Sequence, residues 1–331
     1  MNRVVCFGEA LIDFLGMAPA DPAEPHTFLQ HAGGAPANVA VALARLGGDA
    51  EFVGMLGMDM FGDFLLDSLR QAGVRLDHVQ RTHDAPTALA FVALDAHGER
   101  SFTFYRPPAA DLLFREAVLP TKAFDGVRLL HACSNSLTAA PIADATFACM
   151  QRAHDAGALV SFDMNLRPAL WPSGEDPGPR IRAALARADV VKLSADELAF
   201  LAERIGDEGA ALEELLLASA RLVVVTDGAR PLRWFTQSGS GTLEPFEVRA
   251  IDTTAAGDAF TAGLLYDLAQ RGIDADSLDA FCADSVALVQ TLRFAAACGA
   301  IAVTRRGAFA AMPSRDEVLA LLDRAGNGVQ A

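Results

Sequence analysis

The chain has 331 residues, 52% hydrophobic and 21% charged, which suits one large core or two unequal domains and excludes a disordered chain. A formal net charge of −15 at pH 7 argues against a binder of phosphate backbones or nucleic acid, so an anionic ligand must be met by backbone donors or a few placed cations. Five scattered cysteines (Cys6, Cys133, Cys149, Cys282, Cys298) form no C-x-x-C pair, no His cluster has zinc-ligand spacing, and no apolar run is expected to reach membrane-span length, so the chain reads as a cytoplasmic protein with no membrane partner.

In chain order, a strand is predicted at 4–7, and Asp13 in Gly8-Glu-Ala-Leu-Ile-Asp13 follows it. At the carboxyl end of a parallel strand, a carboxylate can accept two sugar hydroxyls. After a strand-like stretch around 27–31, Gly33-Gly34-Ala-Pro-Ala-Asn38 opens a helix over 35–46, with Val39, Leu43 and Leu46 as its buried face and Gly47-Gly48 as its stop. This turn is neither a P-loop nor a dinucleotide fingerprint. Asn38 suits a neutral polyhydroxylated ligand, while close helix packing explains the glycines equally well.

A strand at 51–53 and a helix at 61–72 precede a break in the rhythm. Runs at 87–94 and 100–106 flank Asp95-Ala-His-Gly-Glu99 and read as a β-hairpin. With 27–31 it is expected to form a small separate layer, either a lid over a site or a hairpin that only packs. Strands at 128–133, 159–163, 190–193 and 222–226 then alternate with helices at 142–156, 181–188 and 196–204, which predicts a mostly parallel sheet in a three-layer α/β/α arrangement. Segments 171–179 and 237–242 have loop composition. Arg167, the run Lys192-Leu-Ser194-Ala-Asp-Glu197 and the pair Thr226 and Gly228 all follow strands and so converge on one edge, although Arg167 alone also fits a surface salt bridge.

Asp252-Thr-Thr254-Ala255-Ala256-Gly257-Asp258 places side chains no larger than methyl ahead of a helix that begins near Gly257 and runs to Arg271-Gly272. The first amides of a helix lack intrahelical partners and sit at its positive end, so an anion can approach where nothing blocks it. Asp258 is either a favourable first-turn residue or a base beside a phosphoryl cradle. Asp252, still in the loop, is better placed for a cation or for bracing the turn.

These two motifs, together with Tyr105-Arg106 and the phrase from Phe162 to Ser173, resemble the ribokinase-like sugar kinases of the PfkB family over essentially the whole length, and among them the fructokinases. The resemblance implies a single ribokinase-like domain over 1–331, with a small β-sheet lid from about 14–33 and 84–107. It implies transfer of the ATP γ-phosphate to the C6 hydroxyl of D-fructose, with Mg²⁺ required and K⁺ as activator. Asp258 would be the base, and Ala255, Ala256 and Gly257 the anion hole. Asp13, Gly33, Gly34, Asn38, Tyr105, Arg106 and Arg167 would meet the sugar. Lys192, Ser194, Glu197, Thr226 and Gly228 would serve the nucleotide, with Ala255 and Gly257. Glu197 would reach Mg²⁺ through water, and Asp252, Thr254 and Gly307 would form a monovalent-cation loop. Relatives pair through their lids, so a homodimer is implied.

In two places the chain departs from the family. Ala255 stands where Gly is common, and its methyl is tolerated if φ is negative there. Ser194 replaces the more usual Asn, which puts its carbonyl-mediated contacts in doubt. A kinase for 2-keto-3-deoxygluconate or another sugar remains an alternative, since Arg106 and Arg167 could pair with a substrate carboxylate. A non-catalytic sugar sensor is the alternative from another class.

Overall fold

The structure, a computed structural model, describes residues 2–17, 27–94 and 100–327. Its strands are β1 (Arg3–Phe7), β2 (Leu11–Met17), β3 (Thr27–Gly33), β4 (Ala50–Val53), β5 (Met55–Gly57), β6 (Gln80–Thr82), β7 (Leu89–Leu94), β8 (Arg100–Tyr105), β9 (Val127–Cys133), β10 (Leu159–Asp163), β11 (Val190–Ser194), β12 (Leu222–Asp227), β13 (Arg230–Thr236) and β14 (Gly239–Leu243). The helices are α1 (Ala35–Arg45), α2 (Met60–Gln71), α3 (Ala140–Asp155), α4 (Gly178–Leu185), α5 (Ala195–Ile205), α6 (Glu208–Ala218), α7 (Ala256–Gln270), α8 (Leu278–Ala283), α9 (Ser285–Ala302) and α10 (Arg315–Asn327).

Eight strands form the main sheet in the order β14-β13-β12-β11-β10-β9-β1-β4, parallel from β4 to β12 and antiparallel at β13 and β14. Successive strand residues point to opposite faces, and the core divides accordingly. Val4 and Cys6 pack with α1, α7 and α9, whereas Val5 and Phe7 pack with α3 and α5. The same division repeats in β12, where Leu222 and Val224 join the first core and Val223 and Val225 the second. Both faces are thus covered, as strands that read as unbroken apolar runs require.

A second sheet has the order β3-β2-β7-β8, with a parallel β2–β7 pair at its centre. The loop between β7 and β8 (95–99) lies outside the described residues. Register divides this small sheet into two faces. Ile12, Phe14, Leu89, Phe91 and Tyr105 share one, and Asp13, His31, Gly33 and Ala90 share the other.

Two expectations need correction. The stretch 237–242, read as loop, supplies part of edge strand β14, because Gly241 lies flat on the Trp234 ring, where a Cβ would come within 2.6 Å of ring carbon Cζ2. No apolar run of membrane length was expected, yet α9 has 18 residues and a mean hydropathy of 1.5, enough to span by length and composition. Leu288, Leu292, Phe294, Cys298 and Ile301 lie in the first core beside α7, and the packing there is close: a Cβ on Gly263 of α7 would sit 2.7 Å from the Cys298 Sγ.

Candidate active site

α7 begins from an abrupt turn. Its N-cap, Ala255, has φ 58° and ψ 14°, so the condition of a negative φ, under which its methyl costs nothing, is not met. A left-handed L-residue costs about 1–2 kcal/mol, whereas Gly adopts this conformation freely at a smaller entropic cost of its own. Ala255→Gly is therefore expected to raise stability by about 0.5–1 kcal/mol, opposite in sign to an ordinary Ala-to-Gly change, and a fall in urea midpoint would contradict this.

Asp252 braces the turn. Its Oδ1 accepts from the Thr254 amide (2.8 Å) and its Oδ2 from the Gly307 amide (3.0 Å), while the Ile251 and Asp252 amides both donate to the Val303 carbonyl. The loops 251–255 and 303–307 are thereby locked together, and Gly307 sits between them with φ +87°. With Asp252, Thr254 and Gly307 at this junction, the opening amides of α7 are presented beyond small side chains.

Asp258, in the first turn of α7, is buried, and its Oδ2 accepts from Asn38 Nδ2 at 2.7 Å. Asn38 is on α1, which starts from the Gly33–Gly34 turn, so one hydrogen bond joins the two sequence motifs across 220 residues. Neither glycine can be replaced at no cost. A Cβ on Gly33 would lie 2.2 Å from Asp13 Oδ2, and one on Gly34, which has φ +102°, would lie 2.6 Å from the Glu9 carbonyl oxygen and 2.7 Å from Ala10 Cα. Asp13, Gly33 and Gly34 therefore meet at one point, on the face of the small sheet opposite Tyr105.

The charge pattern around Asp258 sets its chemistry. Burial pushes its carboxyl up to about 6; the Asn38 hydrogen bond opposes this, Asp163 adds to it, and Lys192 and Arg167 pull it back. Lys192 Nζ is 3.1 Å from Asp163 Oδ2 and 3.0 Å from the place of a Gly257 Cβ, directly behind the cradle. Burial alone would lower the ammonium, but Asp163, Glu197 and Asp258 hold it above its usual range and so protonated. A base must be ionised to take a proton, so kcat/KM is expected to fall about tenfold per unit below pH 6 and to be flat above it; a profile flat to pH 5 would remove Asp258 from that role.

Ser194 and Glu197 form a capping box on α5. The Glu197 amide donates to Ser194 Oγ (3.2 Å), the Ser194 amide donates to Glu197 Oε2 (2.7 Å), and the Leu166 amide donates to Oε1 (2.8 Å). Ser194 thus does its work as a cap. Glu197 is raised by burial, with Lys192 opposing, and both of its oxygens already accept backbone donors, which leaves room for an outer contact through water but not for a direct metal ligand. Among the described residues no group of three or more His, Cys, Asp or Glu side chains could hold a metal ion.

A cleft of about 430 Å³ opens on the other side of the α7 start, lined by Thr226, Gly228, Leu232, Phe246, Gly257 and Gly299 among others. It is mostly apolar and of a size that suits a nucleoside. Thr226 Oγ1 donates to the Leu193 carbonyl at 3.3 Å, tying the cleft wall to β11. Cleft and Asn38–Asp258 pair therefore meet at Gly257.

Tyr105 and Arg106 are placed differently from expectation. Tyr105 is 61% exposed, packs edge-on against Phe91 and points away from Asp13. The Arg106 side chain is 1% exposed and ion-paired with Asp111 at 2.6 Å, so it is not free for a ligand carboxylate. Arg167 is exposed and close enough to Asp258 to influence its charge. Sequence reasoning passed over Asp163, Glu9 and Asn135. A signal existed for the first two, since both are acids just at or after a strand end.

Residues 1–315 match the family described as pfkB family carbohydrate kinase. Among curated proteins, the chain is 42% identical over 324 residues to the probable fructokinase-4 of Arabidopsis thaliana, covering 97% of each. Among solved structures, a fructokinase from Xylella fastidiosa with bound ATP superposes with a TM-score of 0.94 at 55% identity, covering 98% of this chain and 99% of that one. A double-mutant fructokinase from Vibrio cholerae O395 in a fructose, ADP and potassium ion bound form gives 0.84 at 35% identity, covering 97% and 98%.

Proposed function

The chain belongs to the pfkB family of carbohydrate kinases and is a phosphotransferase acting on a sugar hydroxyl, and from that premise we propose that it phosphorylates the C6 hydroxyl of D-fructose with ATP. The observation that carries this reading is the 2.7 Å hydrogen bond from Asn38 to Asp258 at the open end of α7, which sets a base between a sugar-type turn and a nucleotide-sized cleft.

The chemistry follows from these groups. Asp13, Gly33, Gly34 and Asn38 hold the sugar hydroxyls, and Asp258 takes the proton of the attacking hydroxyl. The amides of Ala255, Ala256 and Gly257 bear the charge of the transferring phosphoryl group, with the Lys192 ammonium behind them. Such transfer asks chiefly for alignment and charge stabilisation, so no covalent intermediate is needed. Glu197 would meet a nucleotide-borne Mg²⁺ through water, where the ion would supply charge neutralisation at the phosphates, and the loops of Asp252, Thr254 and Gly307 would hold K⁺. The potassium ion bound in the Vibrio cholerae fructokinase structure supports the K⁺ assignment in kind, and its fructose and ADP support the sugar and nucleotide sites.

The whole chain is one such domain, in which the described parts of the lid expected at about 14–33 and 84–107 (14–17, 27–33, 84–94 and 100–107; 18–26 and 95–99 lie outside the described residues) close over the site and exclude water, a competing acceptor. The lid also serves as the homodimer interface. Its aromatic face carries Tyr105 at 61% and Phe28 at 49% exposure around Phe91, and such a face calls for cover. A monomer mass by light scattering at micromolar concentration would sink the dimer. Five buried, unpaired cysteines support a reducing, cytoplasmic setting.

A coupled ADP-release assay with fructose, ribose, 2-keto-3-deoxygluconate, adenosine and tagatose tests the substrate. Fructose is expected to give the highest kcat/KM, and turnover of another compound without fructose would refute it. The buried Arg106–Asp111 pair weighs against the sugar acid, since it leaves Arg167 as the candidate cation for a carboxylate. A sensor without turnover is disfavoured by the intact set of Asn38, Gly257, Asp258 and Glu197.

A further inference from the structure

We propose that Glu9 is a positioning residue, whose buried carboxylate ties the sugar-binding turn to the places where the chain crosses between the main sheet and the small sheet. Glu9 is 1% exposed and lies between β1 and β2, at the first crossing. Its Oε1 accepts from the Ala35 amide (3.2 Å), which closes the Gly33–Gly34 crossing back into α1. The same oxygen accepts from Asn135 Nδ2 at 2.9 Å. Asn135 in turn offers its main-chain carbonyl to Arg106 (2.8 Å), which follows β8 at the last crossing. Three crossings that are remote in sequence are thereby held through one carboxylate.

Two further observations favour positioning over mere stability. Gly34 rests against the backbone of Glu9 and Ala10, so any shift of this segment moves the turn that orients Asn38 toward Asp258. The hub is also incompletely satisfied: Oδ1 of Asn135, of Asp111 and of Asn38 are buried without a hydrogen-bond partner.

The proposal rests on the sugar-kinase reading, and its test uses whichever sugar the wild-type protein phosphorylates best, so that a wrong substrate and a wrong role for Glu9 give different results. Glu9→Gln keeps an acceptor oxygen for both donors and is expected to hold the sugar KM within threefold. Glu9→Met matches the volume but accepts nothing; it should raise the sugar KM tenfold or more and lower kcat, with the ATP KM within twofold. Glu51→Gln, a buried carboxylate partnered by Arg3 and His78 far from the site, controls for general destabilisation and should leave both KM values alone. Asn135→Ala removes one of the two donors and leaves the main-chain carbonyl for Arg106; it should raise the sugar KM at least threefold. The proposal is overturned if Glu9→Met folds with an unchanged sugar KM or raises both KM values alike, or, should that variant not fold, if Asn135→Ala leaves the sugar KM unchanged.

Discussion

Asp258→Asn is expected to lower kcat by about 10²–10⁴-fold while calorimetry still detects sugar binding, because the amide keeps its shape and its hydrogen bond with Asn38 but cannot take a proton. Stability should move the other way. Burial raises the folded carboxyl from the ordinary aspartate value of 3.8 to about 6, so the folded state binds more protons than the unfolded chain between those values. Stability contributed by this group is full below about 3.8 and is lost as pH rises through about 6. At pH 7 the ionised carboxylate therefore weakens the fold by up to about 3 kcal/mol, and Asn removes that penalty. The variant should be inactive yet more resistant to urea at pH 7 than at pH 4, relative to wild type. Turnover near the wild-type rate would show that another group accepts the proton.

Lys192→Met is expected to destabilise the protein by about 3–5 kcal/mol, since it leaves the buried Asp163 carboxylate, 2% exposed, without its 3.1 Å partner. Lys192 also holds the Asp258 carboxyl down, so the acid limb of kcat/KM should move above pH 6 in whatever fraction folds. The double change Lys192→Met with Asp163→Leu removes the unpaired charge and should recover most of the stability without recovering turnover. Equal stability of single variant and wild type would mean that solvent reaches Asp163 more easily than its burial implies.

The parts of the site that sequence revealed are those whose chemistry lies in adjacent residues. Small residues before a helix with an acid in its first turn state an anion cradle in Ala255–Asp258, and the two glycines before Asn38 state a turn with open backbone. Other features depend on distance or hand. Asp163 matters because it meets Lys192, 29 residues on, and Glu9 because it meets Asn135, 126 residues on. The side taken by Tyr105 follows from strand register, where a slip of one residue would reverse every side chain, and neither run of the hairpin specifies that register. Arg106 read as a ligand cation through the family resemblance, and nothing in the letters shows that Asp111, five residues later, folds back to neutralise it. The hand of Ala255 cannot be seen in a letter that also fits an ordinary helix start. α9 escaped notice for a different reason: apolar residues on most of its circumference leave no periodic stripe.

The place of β1 inside the main sheet governs how the protein can be made. Its Val4 pairs with Ala50 on one side and with Leu129 on the other, so the second edge of the first strand synthesised stays unpaired until β9 has left the ribosome. At about 5–20 residues per second, the span from Phe7 to Cys133 takes roughly 6–25 s. During it, the run Val4-Val5-Cys6-Phe7 presents an apolar edge to any neighbouring nascent chain. Yield on expression should accordingly respond to translation speed and temperature more than equilibrium stability alone would suggest.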